Sequence, residues 1–247
     1  MGPAHPTATN ATSPPAFRLL VMAKAPVAGR VKTRLCPPFT PGEAAELAAA
    51  AIADTLAAVM AAVPLAARRG MRVEPVLVLD GAPGSWLTRL LENEIEGQVR
   101  LPVVAQREGG LDARLAGAFQ DATANLPALL VGMDTPQLTP GLLVQALETL
   151  ARPGCDAVLG HAEDGGWWTL GLRKPDPALL LGVPMSTPWT GKAQQSQLID
   201  ADLTVSLLPE LRDVDTVEDA EQVAGLVPGS RFARTLRGLR LPAALAL

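Results

Sequence analysis

Short, continuously apolar runs recur along the chain, separated by longer stretches with helical periodicity. The runs at residues 17–23, 76–79 and 128–132 contain almost only aliphatic and other apolar side chains. Uninterrupted apolar runs of this length are typical of strands whose two faces are both covered by helices. We therefore predict that these runs are buried strands of a parallel sheet.

The segments between these runs carry helical signals. Thr40 precedes Pro41 and an Ala-rich stretch that extends to about Val63, which predicts an N-cap, a first-turn proline and a long helix. Further elements are predicted in this order: a helix at 85–96, a strand at 101–105, helices at 112–124 and 140–151, strands at 156–160 and 167–172, a helix at 193–200, a strand at 204–208 and a helix at 217–225. The alternation predicts an α/β fold with a mostly parallel central sheet.

Amino-acid composition divides the chain into three segments. Residues 1–16 are rich in Pro, Ala, Thr and Ser and predict a disordered leader, whereas residues 17–226 form one domain. Residues 227–247 form a basic amphipathic segment with an arginine at every third position from 231 to 240. Its periodicity favours a terminal helix that packs on the domain. The alternative is weak contact with a membrane surface.

Composition narrows the possible functions. The chain has 247 residues, of which 48% are apolar, and its net charge of -4 argues against a nucleic-acid partner. Cys36 and Cys155 are too few and too isolated for a thiolate metal site, and His5 and His161 are the only histidines. Acid, base and metal roles therefore fall to carboxylates, Lys and Arg. No signal peptide and no apolar run of about 20 residues is evident, which predicts a cytoplasmic protein without integral membrane contact.

The loop after the first strand is strongly basic. Lys24, Arg30, Lys32 and Arg34 follow one another within it. Ligands of open α/β sheets bind outside the carboxyl ends of strands, so this loop is suited to phosphates, unless it is only a solvated surface run. The glycine spacing of a P-loop is absent, which argues against a P-loop ATPase.

Carboxylates follow later strands. Asp134 comes just after residues 128–132 and could bind Mg²⁺ or Mn²⁺, although an aspartate before Thr-Pro also shapes turns. Asp213 and Asp215 alternate before a helix and could approach a metal together, or could simply begin that helix.

A third acidic segment contains Asp164, Gly165 and Gly166. The glycines allow close approach to a ligand, and Asp164 could serve as an acid or base, whereas a plain Asp-Gly hairpin would look similar. Trp167 and Trp168 could belong to the core or form a stacking face for a sugar or base.

Five motifs in order resemble a bacterial GT-A-type glycosyltransferase family that includes the arsenosugar biosynthesis type. They are A-K-A-P-V-A-G-R-V-K-T-R-L, G-M-D-T-P, E-D-G-G-W-W-T-L-G-L, S-T at 186–187 and D-V-D-T-V-E-D. The match runs from about Arg18 to Ala224. The resemblance implies a single-domain GT-A fold, also called the nucleotide-diphospho-sugar transferase fold, with helices on both faces of the sheet.

The resemblance also implies roles for individual residues. Asp164 and Lys32 are expected to be catalytic, and Asp134 and Asp215 to bind the metal. The substrate-binding residues are expected to be Lys24, Arg30, Arg34, Arg114, Gly165, Gly166, Trp167, Ser186 and Thr187. The chain departs from the family pattern in having tryptophans rather than tyrosines after D-G-G, in its Gly-Leu-Asp-Ala segment at 110–113, and in Met185 before Ser-Thr.

The implied activity is the Mg²⁺- or Mn²⁺-dependent transfer of a sugar from a nucleoside diphosphate sugar to a small acceptor. An alternative is a nucleotidylyltransferase that joins an NTP-derived NMP to a phosphorylated small molecule. The first loop weighs against it, because it lacks the several glycines that commonly wrap a triphosphate. A third alternative is a degenerate module that binds a nucleotide without catalysis.

Overall fold

The computed structural model describes residues 14–94 and 100–240. The strands in this part of the chain are β1 (Ala16–Lys24), β2 (Arg72–Asp80), β3 (Val103–Ala105), β4 (Ala128–Gly132), β5 (Ala157–Ala162), β6 (Trp167–Leu172) and β7 (Val205–Leu211). The helices are α1 (Pro41–Arg68), α2 (Ser85–Glu94), α3 (Leu111–Ala122), α4 (Pro140–Ala151), α5 (Thr190–Asp200), α6 (Val217–Leu226) and α7 (Arg231–Arg240).

The strands form one seven-stranded sheet in the order β3-β2-β1-β4-β6-β5-β7. Every neighbouring pair is parallel except those that involve β6, which runs antiparallel to β4 and β5. The prediction of an α/β domain with a mostly parallel sheet is therefore confirmed. Because β6 is reversed, its first residues lie at the edge of the sheet where the other strands end.

Helices cover both faces of the sheet, as predicted. Along β1, Leu19 and Val21 pack into the cluster that includes α1 and α4, while Leu20 and Met22 pack into the cluster that includes α3. Successive side chains of a strand point to opposite faces, so a continuously apolar strand needs cover on both sides.

The long helix α1 begins as predicted but ends later. Thr40 and Glu43 form a reciprocal capping box at its N-terminus. The helix continues through Pro64 to Arg68, beyond the predicted end near Val63, because Ala62 and Ala66 are fully buried and packing outweighs the local preference. Contrary to the sequence-based expectation, α1 is long and apolar enough to span a membrane, but 67% of its most apolar window is buried inside the domain. We regard α1 as a core helix.

The helix α7 packs against α1 and α6. Phe232 and Leu236 are buried there, and both carboxylate oxygens of Asp54, on α1, accept hydrogen bonds from the first backbone N–H groups of α7. The predicted leader lies mostly outside the described residues, as does the segment 241–247. Ala16, assigned to the leader by composition, is the first residue of β1 and lies opposite Arg72 of β2.

Candidate active site

A pocket of about 520 Å³ lies at the edge of the sheet where the parallel strands end. Lys24 is the last residue of β1, Asp134 follows β4, and Asp215 lies in the loop after β7. Asp164 lies in the turn between β5 and β6. The fold thus gathers around one pocket residues that are more than 100 positions apart in the sequence.

Lys32 lies at the centre of the acidic side of this pocket. Its ammonium group contacts the Oδ1 atom of Asp134 and the carbonyl oxygen of Val214, and lies 3.2 Å from Oδ1 of Asp215. Only 7% of the Lys32 side chain is exposed, whereas 38% of Asp134 and 36% of Asp215 are exposed. The lysine therefore lies beneath the two carboxylates, which face the pocket.

Backbone geometry holds this cluster together. Lys32 has a left-handed conformation with a φ of 50°, which is uncommon for residues other than glycine and aims its side chain inward. The N–H of Val214 donates to the carbonyl oxygen of Asp134 at 2.9 Å, which fixes the loop after β7 to the loop after β4. The relative position of Asp134 and Asp215 is thus set by the backbone.

The electrostatic environment shifts two pKa values in this cluster. Burial alone would lower the pKa of Lys32, but the charges of Asp134 and Asp215 outweigh it and raise that pKa above its ordinary value. For Asp213, burial raises the carboxyl pKa to about 8, with further increases from the charges of Asp134 and Asp164. Its Oδ1 atom has no hydrogen-bond partner among residues 14–94 and 100–240.

A second charged group lies on the other side of the pocket. The sheet register places Lys24 directly opposite Asp80, the last residue of β2. The carboxylate of Asp80 lies 3.8 Å from Nζ of Lys24 and 3.3 Å from Nη1 of Arg114. Asp80 thus holds two predicted substrate-binding cations side by side, a role that the sequence analysis missed.

The turn between β5 and β6 contacts the first turn of α5. Gly165 has a φ of 88°, and its carbonyl oxygen accepts a hydrogen bond from the N–H of Gly191 at 2.8 Å. Oδ1 of Asp164 accepts from the N–H of Gly166 at 2.8 Å. The alternative of an Asp-Gly hairpin therefore describes the local structure well, and Asp164 also lines the pocket.

The two tryptophans face opposite sides of the sheet. Trp168 is 1% exposed and its indole N–H donates to the carbonyl oxygen of Pro209 at 3.0 Å. Trp167 lines the pocket, and its indole nitrogen is buried without a partner in the described part of the chain. Trp168 also borders the pocket, but Trp167 is the more exposed of the two rings. The Nε2 atom of His161 lies 3.2 Å from the Oε1 atom of Gln195, within hydrogen-bond distance.

Most of the predicted site residues line the pocket: Lys24, Arg34, Arg114, Asp134, Asp164, Gly166, Trp167, Ser186, Thr187 and Asp215. Lys32 lies beneath Asp134 and Asp215. Gly165 packs against Pro188, in the loop that carries Ser186 and Thr187. Arg30 is exposed and is not among the described lining residues.

Gln106 also lines the pocket, although its position after the short β3 gave no signal in the sequence. Its side-chain N–H groups donate to the carbonyl oxygens of Ala23 and Val78, and its Oε1 is left without a partner in the described chain.

The donor set suits a hard divalent cation. Carboxylate oxygens are the ligands that Mg²⁺ and Mn²⁺ favour, and the ammonium group of Lys32 shows that the space between Asp134 and Asp215 accommodates positive charge. Over the described ranges, no three histidine, cysteine or acidic side chains converge to hold a metal by themselves. A cation bound by Asp134 and Asp215 would therefore complete its coordination with water or with oxygens of a substrate.

Comparison with known proteins places the chain in a family. Residues 63–187, which are 125 of the 247 residues, match the model of a family described as uncharacterized protein conserved in bacteria (DUF2064). The chain belongs to this family. The matched segment includes Asp134 and Asp164 but ends before Asp215. No protein of curated function matches the sequence.

Solved structures share the fold. A Desulfovibrio desulfuricans G20 protein, provisionally assigned as a nucleotide-diphospho-sugar transferase, is 24% identical, with 90% of this chain and 94% of that chain covered and a TM-score of 0.72. The 4-diphosphocytidyl-2C-methyl-D-erythritol synthase of Anaerococcus prevotii DSM 20548 is 11% identical, with 87% and 99% covered and a TM-score of 0.56.

A mannosyltransferase from Pyrobaculum calidifontis, solved with GDP-Man and Mn²⁺, is 15% identical, with 92% of this chain and 65% of that chain covered and a TM-score of 0.54. These likenesses confirm the predicted nucleotide-diphospho-sugar transferase fold, which serves both glycosyltransferases and nucleotidylyltransferases. The narrower resemblance to the arsenosugar biosynthesis type stays a prediction.

Proposed function

We propose that this protein is a glycosyltransferase that moves a sugar from a nucleoside diphosphate sugar to a small acceptor. The observation that carries the proposal is one pocket in which cations, carboxylates and a glycine turn meet at the carboxyl ends of the strands. Its volume of about 520 Å³ suits a nucleotide-sized ligand, since small-molecule pockets span roughly 300–1,000 Å³.

The cations of the pocket suit a diphosphate. Lys24 and Arg114 both pair with the carboxylate of Asp80. Nη1 of Arg34 lies 2.9 Å from Oδ2 of Asp215. Hydrogen bonds from charged donors to phosphate oxygens are stronger than neutral ones, and Arg can offer two at once. These three side chains would hold the diphosphate, and Lys32, reoriented from beneath the carboxylates, would stabilise the charge on the leaving diphosphate.

Asp164 would act on the acceptor. Its Oδ1 is used by the turn, which fixes the side chain, while the carboxylate faces the same pocket as Trp167 and Thr187. A fixed carboxylate at this position would orient an acceptor hydroxyl and take its proton, a contribution of roughly 10²–10⁴ in rate for general-base catalysis.

Asp134 and Asp215 would hold a divalent cation, together with oxygens of the diphosphate. When bound there, Mg²⁺ or Mn²⁺ would neutralise the negative charge that develops on the leaving diphosphate. The mannosyltransferase of the same fold was solved with a sugar nucleotide and Mn²⁺, which supports testing both together.

The test is a thermal-shift screen against UDP-, GDP- and dTDP-sugars and the plain NTPs, each with and without Mn²⁺, because a ligand of the folded state raises the melting temperature. We expect a Mn²⁺-dependent increase with a sugar nucleotide. An increase with an NTP alone would instead favour the nucleotidylyltransferase, since the same fold serves both reactions. No increase with any of these nucleotides would contradict the proposal, and it would also argue against a degenerate module that only binds a nucleotide.

A further inference from the structure

Lys32 already provides a cation for the two proposed metal ligands. Its ammonium group contacts Oδ1 of Asp134 and lies 3.2 Å from Oδ1 of Asp215. The other oxygen of Asp215, Oδ2, is 2.9 Å from Nη1 of Arg34. Both oxygens of Asp215 and one oxygen of Asp134 are therefore paired with protein cations.

Two cations cannot share these oxygens in the same way. A bound Mg²⁺ lies about 2.0–2.1 Å from each oxygen ligand and tolerates little distortion of its octahedron. An ammonium group between the same two carboxylates would lie within contact distance of such an ion and would repel it. Metal binding through the oxygens that Lys32 contacts, Oδ1 of Asp134 and Oδ1 of Asp215, thus requires Lys32 to leave its buried position.

We propose that Lys32 and the divalent cation compete for Asp134 and Asp215, so that the free protein binds metal weakly and takes it up together with the diphosphate. The proposal rests on the metal site of the proposed function. The diphosphate would supply oxygen ligands to the cation, and it would offer the displaced ammonium group a new anionic partner.

The surrounding structure is consistent with such an exchange. Throughout the described chain, no three histidine, cysteine or acidic side chains converge on a metal site, so phosphate oxygens could add ligands to the two that Asp134 and Asp215 offer. Lys32 also has a left-handed backbone conformation in the loop between β1 and α1, which is uncommon for a lysine.

The experiment measures Mn²⁺ binding without any nucleotide, by electron paramagnetic resonance of free Mn²⁺. The wild-type protein is compared with Lys32→Met, with Lys32→Gln and with Lys192→Met, which removes the same charge from an exposed position on α5. We expect Mn²⁺ to bind at least about tenfold more tightly to both Lys32 variants, because an ion pair at contact distance in a partly buried site is removed. Lys192→Met should bind Mn²⁺ like the wild type.

A double variant locates the gained site. Adding Asp134→Asn to Lys32→Met should abolish the gain, and Mn²⁺ should raise the melting temperature of Lys32→Met more than that of the wild type. Equal affinities in all proteins, no Mn²⁺ binding to either Lys32 variant, or a gain that survives Asp134→Asn would overturn the proposal. Because no nucleotide is present, a failed donor screen would not affect this result.

Discussion

Gly165 lies so close to Pro188 that a β-carbon built on the glycine would be 2.1 Å from the Pro188 carbonyl oxygen. The same glycine has a φ of 88°. Two separate requirements, a backbone conformation and a close approach, therefore exclude a side chain here. The contact holds the loop that carries Ser186 and Thr187 against the turn that carries Asp164.

Gly165→Ala separates these requirements when it is compared with Gly154→Ala. Gly154 has a φ of 80° but would meet nothing within 4 Å, so its substitution should cost only about 1–2 kcal/mol of unfolding free energy for the left-handed conformation. Gly165→Ala should cost about 1–3 kcal/mol more, because the overlap with Pro188 forces the loop to move. Urea unfolding measures both, and equal losses would contradict the steric argument.

Asp213 should make stability depend on pH. Its folded pKa of about 8 is above the ordinary value of 3.8, so between these values the folded state holds a proton that the unfolded state has lost. The free energy of unfolding should therefore fall as pH rises through this window and level off above about pH 8.

Asp213→Asn should remove this fall and melt several degrees above the wild type at pH 8.5, since about 1 kcal/mol corresponds to roughly 2–4 °C in a domain of this size. Asp200→Asn, which neutralises an exposed aspartate at the end of α5, should keep the wild-type profile. Parallel pH profiles for the wild type and Asp213→Asn would refute the assignment.

The two arginines of the first loop should differ in their effect on donor binding. Arg34 lines the pocket, whereas Arg30 is exposed to solvent and is not among the described residues that line the pocket. Arg34→Met should weaken binding of the sugar nucleotide about tenfold or more, because hydrogen bonds to charged groups contribute about 1.5–3 kcal/mol. Arg30→Met should bind the donor as the wild type does. Calorimetric titration would check this, and an equal loss in both would restore the sequence-based role of Arg30.

Asp164→Asn should separate binding from transfer. Asparagine keeps an oxygen that can accept from the N–H of Gly166, so the turn should be retained. It cannot take a proton, so the transfer rate should fall about 10²–10⁴-fold while donor affinity stays the same. Glu163→Gln makes the same charge change at the adjacent residue, which pairs with Arg212, and should retain the rate. Unchanged turnover in Asp164→Asn would remove this residue from the chemistry.

Asp54 should hold the C-terminal helix to the domain. Its carboxylate accepts hydrogen bonds from the N–H groups of Arg231 at 3.0 Å and Phe232 at 2.8 Å. Asp54→Ala should cost about 0.5–2 kcal/mol, the usual cost of losing an N-cap, and should speed hydrogen exchange in α7. Asp54→Asn, which can still accept, should lose less. Unchanged exchange in Asp54→Ala would show that apolar packing alone holds α7.

Local signals predicted several elements well. The strands Ala128–Gly132 and Trp167–Leu172 and the helix Pro140–Ala151 agree with their predicted limits. Apolar runs and caps act within a few residues, so they can be identified without knowledge of the fold. The end of α1 was misjudged because the packing of Ala62 and Ala66 is not visible locally.

The sequence also placed the candidate residues at strand ends, but it did not show which of them meet. Asp80 gave no motif signal, although the register sets it opposite Lys24 and near Arg114. Trp167 and Trp168 could not be told apart from the sequence. In the structure both border the pocket, but Trp168 is buried in one core cluster, whereas Trp167 is partly exposed against the other.

By itself, therefore, the sequence determined an α/β domain with basic and acidic loops after its strands, since periodicity, caps and strand ends are local properties. Only the tertiary structure decided that Lys32 is buried beneath Asp134 and Asp215, two residues far from it in the chain. The strand order brings these charges together, and the strength of their interaction depends on a burial that no local pattern encodes.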